Sequence, residues 1–182
     1  MKKMSVKTVV AIGIGAALFF VLGRFVAIPV PFVPNTTFNL QYGVLGLFAA
    51  MFGPLAGMLI GFVGHTLIDL SWGSPWWSWI IASASFGLLT GFFTRKLDLE
   101  SGEFGKKEII TFNVGQVVAH LIAWIVLAPT LDVLIYAENA TKVFTQGAVA
   151  GVVNAVTTGI VGTVLMLAYS KTRTKRGSLD KD

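Results

Sequence analysis

Three side chains recur every four residues in the second half of the chain, namely Gln116, His120 and Trp124. On a helix this spacing places them in one stripe, because residues four apart lie on the same face. A later segment carries two further amides, Gln146 and Asn154. Amide, imidazole and indole groups together suit a flat, polar heteroaromatic ligand, since stacking supplies contact area and amides fix orientation. The alternative is that each of these residues makes a hydrogen bond between helices.

A second pair, His65 and Asp69, has the same four-residue spacing and is followed by a group of tryptophans. Ionisable groups inside an apolar segment are used or paired. We therefore interpret the pair either as a second layer behind a ligand site or as a structural hydrogen bond that locks its helix. The tryptophan group is typical of an interfacial aromatic belt. Trp79 is one turn deeper than Trp76, and we predict that it faces inward.

Motifs for known catalytic chemistries are absent from the sequence. The chain has no cysteine, which excludes disulfides, thiolate metal ligands and cysteine nucleophiles. It contains no G-x-x-x-x-G-K-[ST] phosphate loop, no H-E-x-x-H metal motif and no nucleophile elbow. We expect a protein that is not an enzyme and holds no metal. The alternative is an intramembrane enzyme that uses His65, Asp69 and His120.

The composition indicates which elements carry these residues. Of the 182 residues, 54% are hydrophobic and 13% are charged, and the mean hydropathy is +0.75. A soluble domain carries about 25% charged residues, so the excess apolar surface indicates lipid. Stretches without Asp, Glu, Lys or Arg predict helices, because about 20 apolar residues cross a bilayer core. The long predicted helices are helix 1 (residues 5–28), helix 4 (76–94), helix 5 (107–127) and helix 6 (143–171).

The uncharged stretch over residues 25–68 is too long for one helix. Prolines at positions 29, 31 and 34 end helix 1, because proline lacks the N–H that a helix interior requires. The Gly53-Pro54 dipeptide predicts a turn. Two short helices result, over residues 38–52 and 55–70, which either cross a thinned region or pack as a hairpin inside the bundle. No small-residue cleavage site closes the first apolar run, so we expect a retained helix rather than a signal peptide.

The basic residues predict the orientation of the helices. Of the fourteen Lys and Arg, twelve lie in three clusters: Lys2, Lys3 and Lys7; Arg95, Lys96, Lys106 and Lys107; and Lys171, Arg173, Lys175, Arg176 and Lys181. Such clusters mark the cytoplasmic side, and all three face it only if an even number of helices separates them. We predict one all-α transmembrane domain of six helices over residues 1–171, with both termini inside and a polar cytoplasmic tail over 172–182. The outer connections are then 29–37, 71–75 and 128–141. This distribution argues against nucleic acid as a partner.

Two other features point to contacts. Helix 1 carries the small-residue pairs Ala11/Gly15 and Gly13/Ala17, and small residues allow helix backbones to approach closely in lipid. We interpret this stripe as a docking face for a partner, or else as a face that packs against the chain's own helices. The uncharged 29–37 connection is an ordinary connector or a lid over an outward pocket.

Several segments together resemble the substrate-specific S component of energy-coupling factor (ECF) transporters. They are SVKTVVAIGIGAA at residues 5–17, IPVP at 28–31, PNTT at 34–37, FGP at 52–54, GHTLID at 64–69 and SPWWSW at 74–79. The resemblance covers residues 4–170 and rests on the combination of these segments.

The resemblance implies a six-helix protein of the cell membrane that binds a vitamin or its precursor from outside. It also implies docking, through Ala11, Gly13, Gly15 and Ala17, on a transmembrane coupling protein (the T component) that works with two ATP-binding cassette ATPases. ATP and Mg²⁺ then belong to those ATPases, and no cofactor is expected in this chain. The implied pocket lies between the first loop and helices 4 to 6. Our candidate ligand-binding residues are Asn35, Thr37, Trp79, Gln116, His120, Trp124, Gln146 and Asn154, with His65 and Asp69 as a possible second layer.

Members that resemble this branch are linked to hydroxymethylpyrimidine, the thiamine precursor, and to pyridoxine. Both are small heteroaromatics with hydroxymethyl groups, and the candidate residues suit either. Asp69 is the only acid that we expect to be buried within a helix, and Arg24 at the outer rim is the only base placed for a carboxylate vitamin. A subunit that assembles with partners but binds no ligand is the remaining alternative.

Overall fold

The computed structural model describes residues 4–31, 33–34 and 36–173. Asn35 and the predicted tail beyond Arg173 lie outside these residues. The described chain is helical in six segments, as the sequence predicted. They are α1 (Val6–Val21, continued by a π-helical turn over Leu22–Val26), α2 (Gln41–Phe52), α3 (Pro54–Trp72), α4 (Trp77–Thr94), α5 (Lys106–Tyr136) and α6 (Ala140–Lys171).

Five of the six helices are long and apolar enough to cross a membrane. The exception is α2, whose 12 residues span roughly 18 Å at 1.5 Å per residue. The turn between α2 and α3 is the predicted one: Gly53 has a positive φ of 87°, and Pro54 occupies the first turn of α3. Proline fits there because the first N–H groups of a helix have no intrahelical partner.

The connection after α1 contains two short strands that the sequence did not predict. Strands β1 (Ile28–Pro29) and β2 (Thr37–Phe38) pair antiparallel, with Ile28 opposite Phe38 and Pro29 opposite Thr37. The hairpin folds the proline-rich segment back over the end of the bundle. It is tied to α6 by Gln146, whose Nε2 donates to the Pro34 carbonyl at 2.8 Å.

The prediction of an outer loop over residues 128–141 is wrong for most of its length. Helix α5 continues through a π-helical segment, Leu121–Leu127, into α-helix over Ala128–Tyr136. Pro129 cannot donate to the carbonyl four residues earlier, and a π-helical turn is a common way to accommodate such a break. The helix therefore passes Pro129 and ends at Ala137, which adopts the left-handed conformation with φ 54°.

Lys7 and Arg173, from the first and last basic clusters, meet at the connection that carries the middle cluster. Glu100, in the connection between α4 and α5, contacts Lys7 Nζ at 3.4 Å and Arg173 Nη2 at 3.2 Å. The Tyr169 hydroxyl donates to the same carboxylate at 2.8 Å, which lowers the pKa of Glu100 below its ordinary value. By the distribution of basic residues this end is cytoplasmic. The opposite end of the bundle is therefore the outer one.

Helices α3 and α4 approach closely, and glycines make that approach feasible. A Cβ on Gly57 or on Gly87 would collide with the backbone of the other residue, and one on Gly61 would collide with the Ser83 carbonyl. A Cβ on Gly91 would meet the backbone of Pro54. This contact holds the cytoplasmic halves of α3 and α4 side by side. Nearer the outer end, His65 on α3 contacts Ser83 of α4, and Asp69 accepts from the Trp76 N–H just before α4.

Candidate ligand-binding site

A cavity of about 1120 Å³ occupies the outer end of the bundle. Its wall is built from the last turn of α1, the β1–β2 connection, the first residues of α2, the ends of α3 and α5, and the beginnings of α4 and α6. All of these segments lie opposite the basic end. The cavity is therefore on the side from which an external ligand would enter.

Aromatic side chains form one wall of the cavity. The ring centroids of Trp79 and Trp124 lie 5.2 Å apart, and Tyr42 packs edge-on against Trp124 at 5.5 Å. Trp124 is 1% exposed, whereas Trp79 is only partly buried. The two indoles line the cavity with aromatic surface against which a planar ring can stack.

Amide side chains supply the polar groups of the cavity. Asn39 Nδ2 donates to Asn154 Oδ1 at 3.2 Å and so joins the start of α2 to α6. Of the polar residues that we predict to bind ligand, Thr37, Gln146 and Asn154 line the cavity. Two further lining residues, Asn39 and Gln41, were missed, because no helical spacing connects them to the other polar residues.

Two of these amides carry oxygens without a partner. Asn39 Oδ1 and Gln41 Oε1 are buried and accept no hydrogen bond from any residue that the structure describes. Each side chain is only 6% exposed. A buried polar atom that stays unsatisfied costs about 1–3 kcal/mol, so these acceptors favour a ligand that donates to them.

Two predicted site residues, Gln116 and His120, lie behind the cavity wall instead of in it. His120 accepts at Nδ1 from the Trp124 indole at 3.0 Å, and its Nε2 lies 2.9 Å from Thr158 Oγ1. Because an indole N–H only donates, the His120 proton is on Nε2 and is shared with Thr158. Gln116 Nε2 donates to the Ala155 carbonyl at 3.1 Å. Both residues tie α5 to α6, and His120 also orients Trp124.

His65 and Asp69 line the cavity and belong to a chain of polar contacts. His65 Nδ1 lies 2.5 Å from Ser83 Oγ, which lies 2.8 Å from the Tyr42 hydroxyl. His65 Nε2 is 3.6 Å from Asp69 Oδ1. These contacts join α2, α4 and α3 in turn, and they tie His65 to Ser83 of α4 while Asp69 stays at the cavity.

An acid that sequence reasoning missed, Asp132, lies at the same end. It is 2% exposed and accepts from the indoles of Trp76 and Trp79, at 2.7 Å each, and from the Ser78 hydroxyl. The prediction that Asp69 is the only acid buried within a helix was wrong, because it ended helix 5 at residue 127. The every-four spacing of 116, 120 and 124 continues through 128 to 132, and that continuation is the signal that marks Asp132.

Three other charged residues surround the cavity mouth. The Arg24 guanidinium lies over the Trp72 ring at 3.9 Å from its centroid. Lys142 Nζ contacts Glu138 at 2.8 Å. Together with Asp69 and Asp132, these residues make the rim mixed in charge.

The small-residue stripe of α1 divides into two faces. Ala11 and Gly15 are buried, and a Cβ on Gly15 would press against Ile60 of α3 and Phe48 of α2. Gly13 and Ala17 are exposed, and a Cβ on Gly13 would meet no atom within 4 Å. Only the Gly13/Ala17 pair is free to meet another protein.

A family model described as "ECF-type riboflavin transporter, S component" matches residues 3–171 of the chain. Relatives named UPF0397 protein are similar over the whole length. One from Lactococcus lactis subsp. cremoris (strain NZ9000) is 54% identical and covers 100% of both chains. Another from Enterococcus faecalis (strain ATCC 700802 / V583) is also 54% identical, over 100% of this chain and 99% of the relative.

Solved structures share the fold at low sequence identity. A FolT structure with bound folic acid has a TM-score of 0.62 at 17% identity and covers 92% of this chain and 96% of that one. An S component for biotin from an ECF-type ABC transporter has a TM-score of 0.62 at 18% identity, over 94% of both chains. The S component of a bacterial ECF transporter has a TM-score of 0.61 at 23% identity, over 91% and 94%.

Proposed function

The chain belongs to the family of ECF-type riboflavin transporter S components, and from this premise we propose that it captures a small, flat heteroaromatic vitamin or vitamin precursor from outside the cell. It is a multi-pass membrane protein and the substrate-binding subunit of a vitamin transporter. Our preferred ligands are hydroxymethylpyrimidine and pyridoxine.

The observation that carries this proposal is the composition of the outer cavity wall. Two indoles, Trp79 and Trp124, offer a stacking surface, and Asn39, Gln41 and Asn154 offer amides beside it. Pockets of this kind hold their ligands by apolar contact and fix orientation through a few polar groups.

The unpartnered amide oxygens narrow the class of ligand. Asn39 Oδ1 and Gln41 Oε1 accept hydrogen bonds, so a matching ligand presents N–H or O–H groups. Hydroxymethylpyrimidine carries a ring amino group and a hydroxymethyl group, and pyridoxine carries three hydroxyls. Both therefore supply donors on a flat ring.

A second candidate is riboflavin itself. The matching family model is described by that vitamin, and a cavity of about 1120 Å³ exceeds the roughly 300–1,000 Å³ typical of small-molecule pockets. The isoalloxazine ring is flat and carries an N–H donor, while the ribityl chain carries hydroxyls. The larger volume favours this ligand over a single-ring precursor, whereas the wall chemistry suits all three.

ATP-driven delivery through partners completes the proposal. S components of ECF transporters work with a T component and two ATP-binding cassette ATPases, which bind ATP and Mg²⁺. The exposed pair Gly13 and Ala17 supports docking on such a module, because small residues permit close helix contact in lipid. The enzyme alternative loses support, because His120 does not line the cavity that His65 and Asp69 share.

Calorimetric titration of the purified, detergent-solubilised protein with hydroxymethylpyrimidine, pyridoxine and riboflavin tests the proposal. We expect one of them to bind with one-to-one stoichiometry. Trp79→Leu should weaken that binding by tenfold or more, since stacking on an aromatic ring contributes about 1–3 kcal/mol. Trp77→Leu is the matched control, because Trp77 is 45% exposed and does not line the cavity.

Failure of all three ligands to bind would contradict the proposed ligand class. If the protein nevertheless copurified with an ATPase-containing module, the subunit without a ligand would be the better description. If Trp79→Leu and Trp77→Leu weakened ligand binding equally, the cavity would not be the binding site.

A further inference from the structure

One buried carboxylate, that of Asp132, binds the first turns of α4 from the last segment of α5. Its Oδ1 accepts from Trp76 Nε1 at 2.7 Å and from the Ser78 hydroxyl, and its Oδ2 accepts from Trp79 Nε1 at 2.7 Å. Three donors from one helix therefore converge on a single side chain that is 2% exposed.

We propose that Asp132 is a positioning residue that fixes the Trp79 indole and thereby sets the geometry of the stacking wall. The inference rests on the proposed function, since it assigns a role in the same ligand site. Asp132 acts through Trp79, so we do not count it as a direct ligand of the vitamin.

The residue type follows from the number of donors. A carboxylate has two oxygens with about four lone-pair sites, so it accepts three hydrogen bonds without strain. An asparagine at this position has one oxygen, and its NH₂ group would face an N–H donor. Ionisable groups at membrane depth are kept only when paired or used, and here every oxygen of Asp132 is paired.

The hydrogen bond from Trp79 Nε1 to Asp132 fixes the relative orientation of the two indoles of the wall. Trp79 and Trp124 have an interplanar angle of 49° at a centroid distance of 5.2 Å. Trp124 is held by its bond to His120, and Trp79 by its bond to Asp132. Each indole N–H is thus held by a hydrogen bond, and both indoles line the cavity.

The last segment of α5 also contacts the start of α4 through Tyr136. Tyr136 stacks on Trp76 at 4.3 Å, and its hydroxyl accepts from the Trp77 backbone N–H at 3.0 Å. These contacts keep the two helices in register without Asp132. Loss of the carboxylate should therefore release the Trp79 ring and leave the helix packing in place.

Asp69 provides a matched comparison on the facing wall. It also lines the cavity and also accepts from Trp76, but through the backbone N–H at 2.8 Å, and it bonds to neither indole of the stacking wall. A general effect of removing a cavity carboxylate should appear with Asp69→Asn as well. A positioning effect on Trp79 should appear with Asp132→Asn alone.

A double-mutant cycle separates positioning from a general structural role. Ligand affinity is measured by calorimetry for the wild type, Asp132→Asn, Trp79→Phe and the double variant. The probe is hydroxymethylpyrimidine, with pyridoxine and riboflavin titrated in parallel. We expect Asp132→Asn to weaken binding about tenfold in the wild-type background and less than twofold in the Trp79→Phe background, because phenylalanine has no N–H to hold.

The Asp69→Asn cycle with Trp79→Phe should be additive. Additive losses for Asp132→Asn and Trp79→Phe would overturn the inference. If Asp132→Asn does not fold, Asp132→Glu replaces it in the cycle, since it keeps the charge and displaces the acceptor by one methylene. The same non-additivity is expected.

A measurement on the protein without ligand tests the positioning role separately from the proposed function. Two indoles 5.2 Å apart give an exciton couplet in circular dichroism, which depends on their mutual angle. We expect Asp132→Asn to abolish the couplet as Trp79→Phe does, whereas Asp69→Asn retains it. A couplet that survives Asp132→Asn would overturn the inference, whichever vitamin binds. Loss of the couplet in a protein that binds none of the three probes would reject the proposed function and uphold the orienting role.

Discussion

Polar residues within the helices serve two different purposes. Asn154 and Gln146 line the cavity, whereas His120 and Gln116 are fully enclosed and join α5 to α6. Amide side chains occur in both groups, so residue type alone does not separate them. The direction in which each residue faces around its helix, and not its chemical type, decides which purpose it serves.

Replacing Ser83 tests how much the buried polar contacts between helices contribute to stability. Its hydroxyl contacts both His65 Nδ1 and the Tyr42 hydroxyl, so Ser83→Ala leaves two buried polar groups without this partner. We expect unfolding in detergent to become easier by about 1–3 kcal/mol, seen as a lower thermal midpoint.

Ser71→Ala is the control for that change, because the Ser71 hydroxyl donates to the Ile68 carbonyl of its own helix. It should leave the midpoint nearly unchanged. Equal midpoints for Ser83→Ala and the wild type would show that the Tyr42–Ser83–His65 chain contributes nothing to stability.

At the scale of elements, close backbone contact characterises the α3–α4 pair. Gly57 and Gly87 face each other across the contact, and each occupies the space that a Cβ on the other would need. Without a hydrophobic driving force between helices in lipid, such contacts supply van der Waals packing. At the outer end of the same pair, the Asp69 carboxylate accepts from the N–H of Trp76, the residue before α4.

Gly87→Ala should therefore separate the two helices. The new methyl group would lie against the Gly57 backbone, with Met58 N only 3.1 Å from the added carbon. Overpacking of this type costs about 1–3 kcal/mol, and we expect a lower thermal midpoint together with weaker ligand binding.

Gly13→Ala provides the matched control, since it is the same substitution in a helix with no atom within 4 Å of the new carbon. Its midpoint should equal or exceed that of the wild type, because alanine favours helix over glycine by about 0.5–1 kcal/mol. If both variants were equally stable, the proposed glycine contact would be refuted.

The whole molecule has two chemically distinct ends. Lys7, Arg173 and Glu100 meet at the cytoplasmic end, and the cavity opens at the other. The exposed faces of the helices between these ends are largely apolar, as lipid requires. On α1 that apolar face includes Gly13 and Ala17, the exposed pair without bulky side chains.

The double variant Gly13→Leu with Ala17→Leu should prevent assembly with the coupling module and leave the isolated subunit folded. Both positions are exposed, so the larger side chains fill no space within the chain. We expect an unchanged thermal midpoint and ligand affinity, and loss of the ATPase-containing module on copurification.

Val156→Leu enlarges a side chain that is 57% exposed on α6, and it should copurify with the module as the wild type does. Full assembly and uptake in the Gly13→Leu, Ala17→Leu variant would contradict docking through this face.

Local features of the sequence determined most of the helices. Charge-free stretches, the prolines after α1 and the Gly53-Pro54 turn act over a few residues, so the six-helix pattern could be predicted from them. The clustering of Lys and Arg predicted which connections share one end, and the described contacts of Glu100 with Lys7 and Arg173 agree with it.

The tertiary structure decided what no local signal contains. Helix α5 continues past Pro129 because α4 and α6 pack against its last segment, and that continuation makes Asp132 an acceptor for two tryptophans. The wall position of Asn39, the enclosed position of His120 and the division of the small-residue stripe also depend on how the helices are rotated against one another. Rotation is set by contacts between residues far apart in the chain, so spacing along one helix identifies a polar stripe but not the surface that it faces.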